Sequence, residues 1–274
     1  MIPFNQPCLV GNELAYIADA VKRGKISGNG YYTQACQQFL EKEFGYLKTL
    51  LTNSCTDALE MAALLIDIKA GDEVIMPSFT HVSTANAFLL RGAKIVFADV
   101  EANTPNLDVT KIASLVNKNT KAIVVVHYGG IAVNMQEALH LAIEHNLFVI
   151  EDVAQAIGAD YTFSDGRKVK AGTIGTIGCT SFFPSKNLGC YGDGGAMYTN
   201  DSDLAAKMKM ISHHGQSVQY VHDVLGVNSR LDTIQAAILK IKLQHLDEYA
   251  AARNKVAAYY DKAFANHPKL KTPT

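Results

Sequence analysis

Lys186 is the residue in this sequence with the clearest capacity for covalent chemistry. It lies among small and aromatic residues in the stretch 180–187, which is followed by the glycine-rich segment 192–195. Burial in such surroundings would disfavour the ammonium form and lower the lysine pKa, and a free amine can form a Schiff base with a carbonyl group. The alternative is an ordinary surface lysine in a glycine-rich loop, because lysine is rarely fully buried.

The segment 149–155 ends an apolar run with the acidic pair Glu151 and Asp152. A strand that ends in this way places a carboxylate at the carboxyl edge of a sheet, where α/β folds bind ligands. At that edge a carboxylate can keep the ring nitrogen of pyridoxal phosphate protonated, so that the ring serves as an electron sink. The same sequence also fits Asp152 as the N-cap of a helix.

A third stretch, 51–59, leads through small polar residues from a predicted strand into a predicted helix. The free N–H groups at the start of a helix can bind a phosphate group. The same residues also make a plain N-cap, so both interpretations stay open on this evidence.

Other candidate motifs are weaker. The turn at 28–30 does not follow a strand, so it is not a dinucleotide-binding fingerprint, and a nicotinamide dehydrogenase is not indicated. His213 and His214 are adjacent and lack accompanying ligand spacing, so we predict no metal site. Nothing in the sequence marks Cys55 as an activated nucleophile, and packing is the default role for such a cysteine.

The composition predicts a globular protein, with 274 residues of which 48% are apolar and 19% charged. A formal net charge of −1 argues against binding to nucleic acid or to an anionic membrane. We expect neither a membrane-spanning run, which needs about 18 apolar residues, nor a signal peptide. Five scattered cysteines without CxxC spacing argue against a disulfide scaffold and predict a reducing, cytoplasmic location.

The elements that position these residues alternate between short apolar runs and helical windows. Such alternation predicts an α/β fold with a parallel or mixed sheet covered by helices on both faces. The predicted strands are 49–52, 73–76, 94–97, 122–126 and 148–151, with β-like pieces at 176–183 and 196–199. The predicted helices are 57–65, 83–90, 108–116, 135–145 and a long window, 232–265, in which we expect a bend or a helix that links two domains.

Four ordered segments together resemble the sugar aminotransferases of the DegT/DnrJ/EryC1/StrS family: 71–80, 149–155, 181–186 with 192–195, and 226–232. The resemblance implies the α/β large domain of a fold type I aminotransferase, with a central, mostly parallel sheet between helices. It divides the chain into a pyridoxal-phosphate-binding large domain with the N-terminal segment, 1–245, and a second part, 246–274. That second part would be a linking helix and the start of a small C-terminal domain that is largely missing.

The resemblance also implies a site around pyridoxal 5′-phosphate. Lys186 matches the lysine that forms the Schiff base with the cofactor, and Asp152 matches the partner of the pyridine nitrogen. Gln155 matches the residue beside the ring hydroxyl. Where the family usually stacks an aromatic side chain on the cofactor, this chain has His81, whose imidazole stacks with less area.

The phosphate of the cofactor has its own set of matching residues. The backbone at Cys55 and the side chains of Thr56 and Ser181 match the phosphate seat. Asn228 matches a phosphate contact from the neighbouring subunit, which implies a homodimer with shared active sites. Arg230 lies in the same motif and is expected to contact substrate.

The implied reaction moves an amino group, from glutamate by resemblance, to a keto group of a nucleotide-activated sugar for surface polysaccharide or O-antigen biosynthesis. The first half of the chain resembles the branch of dTDP-4-amino-4,6-dideoxygalactose transaminases, and the second half resembles the branch that aminates C3 of nucleotide-linked keto sugars. The position of amination therefore stays open. The alternative is a catalytically silent pyridoxal-phosphate-binding protein or fragment, which His81 and the abrupt end of the sequence at 267–274 motivate.

Overall fold

The computed structural model describes Met1 and residues 6–272, and all elements and contacts below belong to these residues. Residues 2–5 and 273–274, at the two ends of the chain considered above, lie outside the described residues. No helix in the described part of the chain is both long and apolar enough to cross a membrane.

The strands and helices alternate along the chain. The strands are β1 (Lys48–Thr52), β2 (Glu73–Pro77), β3 (Lys94–Ala98), β4 (Thr120–Val126), β5 (Phe148–Asp152), β6 (Asp160–Thr162), β7 (Lys168–Lys170), β8 (Ile177–Ser181), β9 (Gly195–Thr199), β10 (Gln216–Val218) and β11 (Val221–His222). The α-helices are α1 (Glu13–Lys22), α2 (Tyr31–Phe44), α3 (Cys55–Leu65), α4 (Val82–Leu89), α5 (Met135–His145), α6 (Ser202–Ile211), α7 (Thr233–Leu243) and α8 (Leu246–Phe264).

The central sheet has seven strands in the order β1-β9-β8-β5-β4-β2-β3. Strand β9 runs antiparallel to both of its neighbours, whereas the other pairings are parallel. All residues of β2, β8 and β9 are buried, as expected for strands covered on both faces. The expected α/β fold with a mostly parallel sheet is therefore confirmed.

Alternate residues of the strands feed separate apolar clusters on the two faces of the sheet. Val124 and Ile150 belong to the cluster that also contains Phe88 of α4 and the buried side of α3. Their neighbours Val125 and Val149 belong to the cluster on the α5 side. This two-residue period is the geometry of a pleated strand, and it explains why the strands read as continuous apolar runs in the sequence.

The predicted strands and helices are confirmed to within two residues at each end, with one exception. The window 108–116 is wrong as an α-helix, since it forms two 3₁₀ helices, Val109–Lys111 and Ala113–Leu115. Its buried side chains, Val109 and Ile112, are three residues apart, which is the repeat of a 3₁₀ helix.

The bend expected in the long C-terminal window is confirmed, because α7 ends at Leu243 and α8 begins at Leu246. Only Leu246 is buried among the 19 residues of α8. The division of the chain into parts 1–245 and 246–274 stays a prediction.

The strand register brings two predicted site residues, Ser181 and Asp152, to the carboxyl edge of the sheet. Thr52 of β1 pairs with Gly195 of β9, and Gly195 in turn pairs with Ser181 of β8. The next strand, β5, ends at Asp152. The chain leaves β1 at Thr52 and begins α3 at Cys55, so the start of this helix lies at the same edge.

Gly195 allows the start of α3 to lie directly against β9. A Cβ atom at this position would be 2.4 Å from the carbonyl carbon of Ser54 and 2.5 Å from the nitrogen of Cys55. These are backbone atoms, so no side-chain rotation could relieve the clash. The missing side chain at 195 therefore brings the N-terminus of α3 to the sheet edge.

We expect Gly195→Ala to lower the free energy of unfolding by about 1–3 kcal/mol, because α3 must move away from β9. For a chain of this size, each kcal/mol corresponds to a fall in Tm of roughly 2–4 °C. Gly194→Ala is the matched control, since a Cβ there meets only side-chain atoms, at 3.0–3.2 Å. Differential scanning calorimetry compares the two variants, and equal losses of stability would contradict the close approach at Gly195.

Candidate active site

Asp152 is a buried carboxylate held by two hydrogen bonds at the end of β5, with only 4% of its surface exposed. Its Oδ2 accepts from the Thr84 hydroxyl at 2.8 Å, and its Oδ1 accepts from the N–H of Ala154 at 3.0 Å. Burial raises the pKa of this carboxyl, while the two hydrogen bonds and the positive charge of Lys186 act in the opposite direction. The N-cap alternative for Asp152 is wrong, because residues 154–158 form turns rather than a helix.

Lys186 lies in the loop between β8 and β9, and its backbone N–H donates to the carbonyl of Phe183 at 2.9 Å. The side chain is half-buried rather than fully exposed. Its positive charge partly offsets the rise that burial causes in the pKa of the Asp152 carboxyl and of the Cys55 thiol, so the lysine lies within electrostatic range of both groups. The structure thus brings the predicted lysine and the predicted carboxylate together.

The start of α3 offers free hydrogen-bond donors beside this pair. Ser54 caps the helix by accepting from the N–H of Asp57 at 3.0 Å, so the N-cap interpretation of this stretch is confirmed. Within the described residues, the N–H groups of Cys55 and Thr56 have no acceptor, as the first turn of a helix requires. The hydroxyl of Ser181 accepts from the N–H of Phe183 at 3.2 Å, which leaves its own proton free to donate.

This arrangement fits pyridoxal phosphate in its chemistry. The N–H groups of Cys55 and Thr56, with the hydroxyls of Thr56 and Ser181, form a set of donors suited to a phosphate dianion. The carboxylate of Asp152 is suited to a protonated ring nitrogen, and the amine of Lys186 to an aldehyde. Because Gly195 has no side chain, the start of α3 lies against β9 at the same edge as these groups.

Gln155 links the Asp152 segment to two neighbouring loops. Its side-chain Oε1 accepts from the N–H of Gly129 at 2.8 Å, and its backbone carbonyl accepts from Asn187 Nδ2 at 3.1 Å. Asn187 follows Lys186 directly, so the lysine loop is tied to the turn after β5. A contact of Gln155 with a ring hydroxyl stays a prediction.

His81 lies at the start of α4 and is exposed. Its Nδ1 lies 2.7 Å from the Ser83 hydroxyl. One turn further along α4, Thr84 is fully buried and bonds to Asp152, and Thr80 bonds to Thr84 at 2.8 Å. His81 thus lies three residues before the threonine that bonds to Asp152, and stacking of its ring on a cofactor stays a prediction.

Glu151 and His127 form a second buried polar pair, on the far side of β5 from Asp152. The Glu151 carboxylate accepts from the His127 Nε2 at 2.9 Å and from three backbone N–H groups of the loop before β8 at 2.5–2.8 Å, those of Gly172, Ile174 and Gly175. His127 Nδ1 accepts from the N–H of Val133 at 3.1 Å, which leaves Nε2 to donate to Glu151. With every site occupied, Glu151 holds the loop in place and is not free for proton transfer.

The segment that contains Asn228 and Arg230 lies against the start of α3. Asn53 Nδ2 donates to the Asn228 carbonyl at 3.2 Å, and the N–H of Arg230 donates to Asn53 Oδ1 at 3.1 Å. Ser229 donates to Asp57 at 3.0 Å. The guanidinium of Arg230 donates to Asn228 Oδ1 at 2.9 and 3.2 Å, so both predicted residues lie beside the proposed phosphate seat.

The cysteines and the histidine pair do not form a further site. Burial raises the pKa of the Cys55 thiol, which argues against a nucleophilic role. All five cysteines, each within the described residues, are free. His213 and His214 are exposed, and no cluster of three or more metal-ligating side chains occurs among the described residues.

Thr84 and His127 lie at or beside the site but were not predicted from the sequence. Both are polar residues buried inside apolar stretches, and such residues need a hydrogen-bonding partner. The sequence gives no further signal for Thr84, whose hydroxyl bonds to that of Thr80, a residue that precedes the N-cap of α4.

Comparison with known proteins identifies the family. The model of the DegT/DnrJ/EryC1/StrS aminotransferase family matches residues 7–274. A UDP-2-acetamido-2-deoxy-3-oxo-D-glucuronate aminotransferase from Pseudomonas aeruginosa is 46% identical over 206 residues, covering 75% of this chain and 56% of the relative. A dTDP-3-amino-3,4,6-trideoxy-α-D-glucose transaminase from Streptomyces venezuelae is 36% identical over 276 residues, covering 99% of this chain and 72% of the relative.

The fold agrees with this relationship. The crystal structure of a DegT DnrJ EryC1 StrS aminotransferase from Brucella abortus superimposes with a TM-score of 0.87 at 35% identity, over 96% of this chain and 72% of that one. The chain spans about half the length of the curated relatives that are 46% identical to it, 54–56% in each case. Because the family model matches residues 7–274 of this chain, the chain belongs to the DegT/DnrJ/EryC1/StrS aminotransferase family.

Proposed function

We propose that this protein is a pyridoxal-phosphate-dependent aminotransferase that moves an amino group from glutamate to a keto group of a nucleotide-activated sugar. The observation that carries the proposal is the meeting of Lys186, the buried carboxylate of Asp152 and the N-terminus of α3 at one edge of the sheet. Members of the family depend on pyridoxal phosphate. The biological role would be the synthesis of surface polysaccharide or O-antigen.

Each part of the cofactor has residues to hold it. The donors at the start of α3, with the hydroxyls of Thr56 and Ser181, bind the phosphate. Asp152 would hold a proton on the ring nitrogen. Burial raises the pKa of its carboxyl, because the ionised form lacks solvent, and a positively charged ring beside it would stabilise that form. Gln155 and His81 border the ring. When bound, pyridoxal phosphate supplies a reactive aldehyde carbon and a ring that withdraws electrons.

Lys186 has two functions in this proposal. With pyridoxal phosphate bound, its Nζ would hold the aldehyde carbon of the cofactor, and once an amino donor has taken its place, the free amine would accept the proton from the donor Cα as a general base. The same Nζ then returns a proton as a general acid. Because its loop is tied to the turn after β5 through Asn187, the amine stays close to Asp152 during both transfers.

The names of the relatives favour amination at C3. Both relatives described above are named for sugars with an oxo or amino group at position 3, one linked to UDP and one to dTDP. A UDP-linked 3-keto sugar is therefore the first acceptor to test. Arg230, held beside the start of α3, is positioned to bind an anionic group of this substrate.

We also propose a homodimer with shared active sites in a reducing, cytoplasmic compartment. Free cysteines support the compartment. The dimer is supported by exposed apolar side chains on α4 and around the hairpin β10–β11, at Val82, Leu89, Val218, Tyr220 and Val221. Residues 246–274 would lead into a second, smaller domain.

Replacing Lys186 tests the proposed reaction. We expect Lys186→Ala to lower the rate of amino transfer from glutamate to a UDP-linked 3-keto sugar by at least about 10⁴-fold, because the anchor and the base are lost together. Mass spectrometry of the amino-sugar product measures the rate. Lys168→Ala, at an exposed position on β7, is the control. An active Lys186→Ala variant would rule out the proposed mechanism, and an inactive wild type that still binds the cofactor would support the catalytically silent alternative.

Mixing two inactive variants tests the sharing of sites between subunits. If Asn228 contacts the phosphate in the partner's site, co-expressed Lys186→Ala and Asn228→Ala chains form mixed dimers with one intact site. Each purified mixed dimer would then have about half of the wild-type activity, because one of its two sites is intact. Activity is measured after separating the mixed dimers by two affinity tags. No recovery would mean that Asn228 acts within its own chain.

A further inference from the structure

The loop that carries Lys186 has a second set of anchors, on α7. This loop spans residues 182–194, and at its base the N–H of Phe182 donates to the carbonyl of Gly194 at 2.7 Å. The N–H of Cys190 donates to the Phe182 carbonyl, also at 2.7 Å. Two side chains of α7, Gln235 and Lys242, contact the part of the loop that lies beyond the lysine.

Gln235 binds both backbone polar groups of Tyr191. The N–H of Tyr191 donates to Gln235 Oε1 at 2.9 Å, and Gln235 Nε2 donates to the Tyr191 carbonyl at 2.9 Å. This pair of bonds has the pattern that a neighbouring strand would provide, although the loop has no neighbouring strand there. A Cβ at Gly192 would come within 3.0 Å of Gln235 Nε2, so the loop lies close to the amide.

Lys242 is almost completely buried, with 1% of its surface exposed. Its Nζ donates to the carbonyl of Gly189 at 2.8 Å and lies 4.9 Å from the centre of the Tyr191 ring. Burial lowers the pKa of this lysine, and the carboxylate of Glu13 partly offsets that effect. A buried ammonium group is costly, so an apolar residue would be the cheaper choice if this position served packing alone.

The contact at Gly189 is transmitted to the catalytic end of the loop. A Cβ at Gly189 would lie 2.6 Å from the carbonyl oxygen of Pro184, so the backbone at Gly189 is in contact with the backbone at Pro184. Pro184 is two residues before Lys186. A shift of Gly189 must therefore move Pro184, and with it the lysine, since close-packed backbone cannot absorb the displacement.

The helix that supplies these anchors is itself fixed. Thr233, at its first residue, accepts from the N–H of Gly30 at 3.0 Å and donates to the carbonyl of Ser27 at 2.6 Å. The buried side of α7 packs with α1 and α2 in one apolar cluster. The helix begins three residues after Arg230, so it also connects the proposed substrate residue to the lysine loop.

We propose that Gln235 and Lys242 are positioning residues, which set the place of the Lys186 amine by holding the loop at Tyr191 and Gly189. The inference rests on the proposed function, because it concerns the orientation of Lys186 toward the cofactor aldehyde. Neither side chain contacts the reacting atoms. Their effect reaches the site through the backbone of the loop.

The test compares Gln235→Ala and Lys242→Met with Lys240→Met, a half-buried lysine on the same helix whose ammonium lies over Phe39. Each chain is incubated with pyridoxal phosphate and sodium cyanoborohydride, and peptide mass spectrometry measures the rate at which Lys186 is covalently modified. Modification of the exposed Lys168 in the same sample is the internal reference. The pH midpoint of the visible absorbance of the bound cofactor and the Tm are recorded in parallel.

We expect the rate of modification at Lys186 to fall at least about tenfold in Gln235→Ala and Lys242→Met, with a shifted pH midpoint, and to be unchanged in Lys240→Met. A variant with a lower Tm but wild-type modification rate and pH midpoint would overturn the positioning role. If Lys242→Met does not fold, Gln235→Ala decides. Wild-type chain that is not modified at Lys186 would overturn the proposed function and this inference with it.

Discussion

The buried carboxylate of Asp152 is the interaction on which the site depends. Its charge is removed from water at the end of β5, where two neutral hydrogen-bond donors and the charge of Lys186 partly compensate it. A carboxylate in this condition is costly for the protein alone and favourable once a cation lies beside it. Thr84 and the turn at Ala154 hold it in one orientation, so a protonated ring would bind without the entropic cost of ordering this side chain.

The order of the strands explains why the other groups meet this carboxylate. Because β9 is inserted antiparallel between β1 and β8, it begins where both neighbours end, and it begins with a glycine, Gly195. The helix after β1 can then start against β9, beside the end of β8 and one strand away from Asp152. The proposed phosphate donors, the carboxylate and the lysine loop are thus brought to one edge by the register of one sheet. The anchors at Gln235 and Lys242 add a restraint from the opposite side of the loop.

The sequence predicted the central elements well, because strands buried on both faces and amphipathic helices leave strong patterns. For Lys186 and Asp152 the residues alone left structural alternatives open, and the roles predicted for them follow from the family resemblance and stay a proposal. The helices α1, α2 and α6 were not predicted, and 108–116 was assigned to the wrong kind of helix. The sequence did not predict Thr84, Gln235 or Lys242. Their contacts join residues far apart in the sequence, such as Thr84 and Asp152, which have a sequence separation of 68.

If Lys186 and Asp152 engage pyridoxal phosphate, the 274-residue chain binds the cofactor at this sheet edge. The most direct measurement is an absorbance scan of the purified chain with pyridoxal phosphate, before and after excess glutamate. We expect a visible band from cofactor bound to Lys186, which glutamate converts to the shorter-wavelength band of the aminated cofactor. A band that does not form with pyridoxal phosphate would contradict the assignment of this sheet edge as the cofactor site.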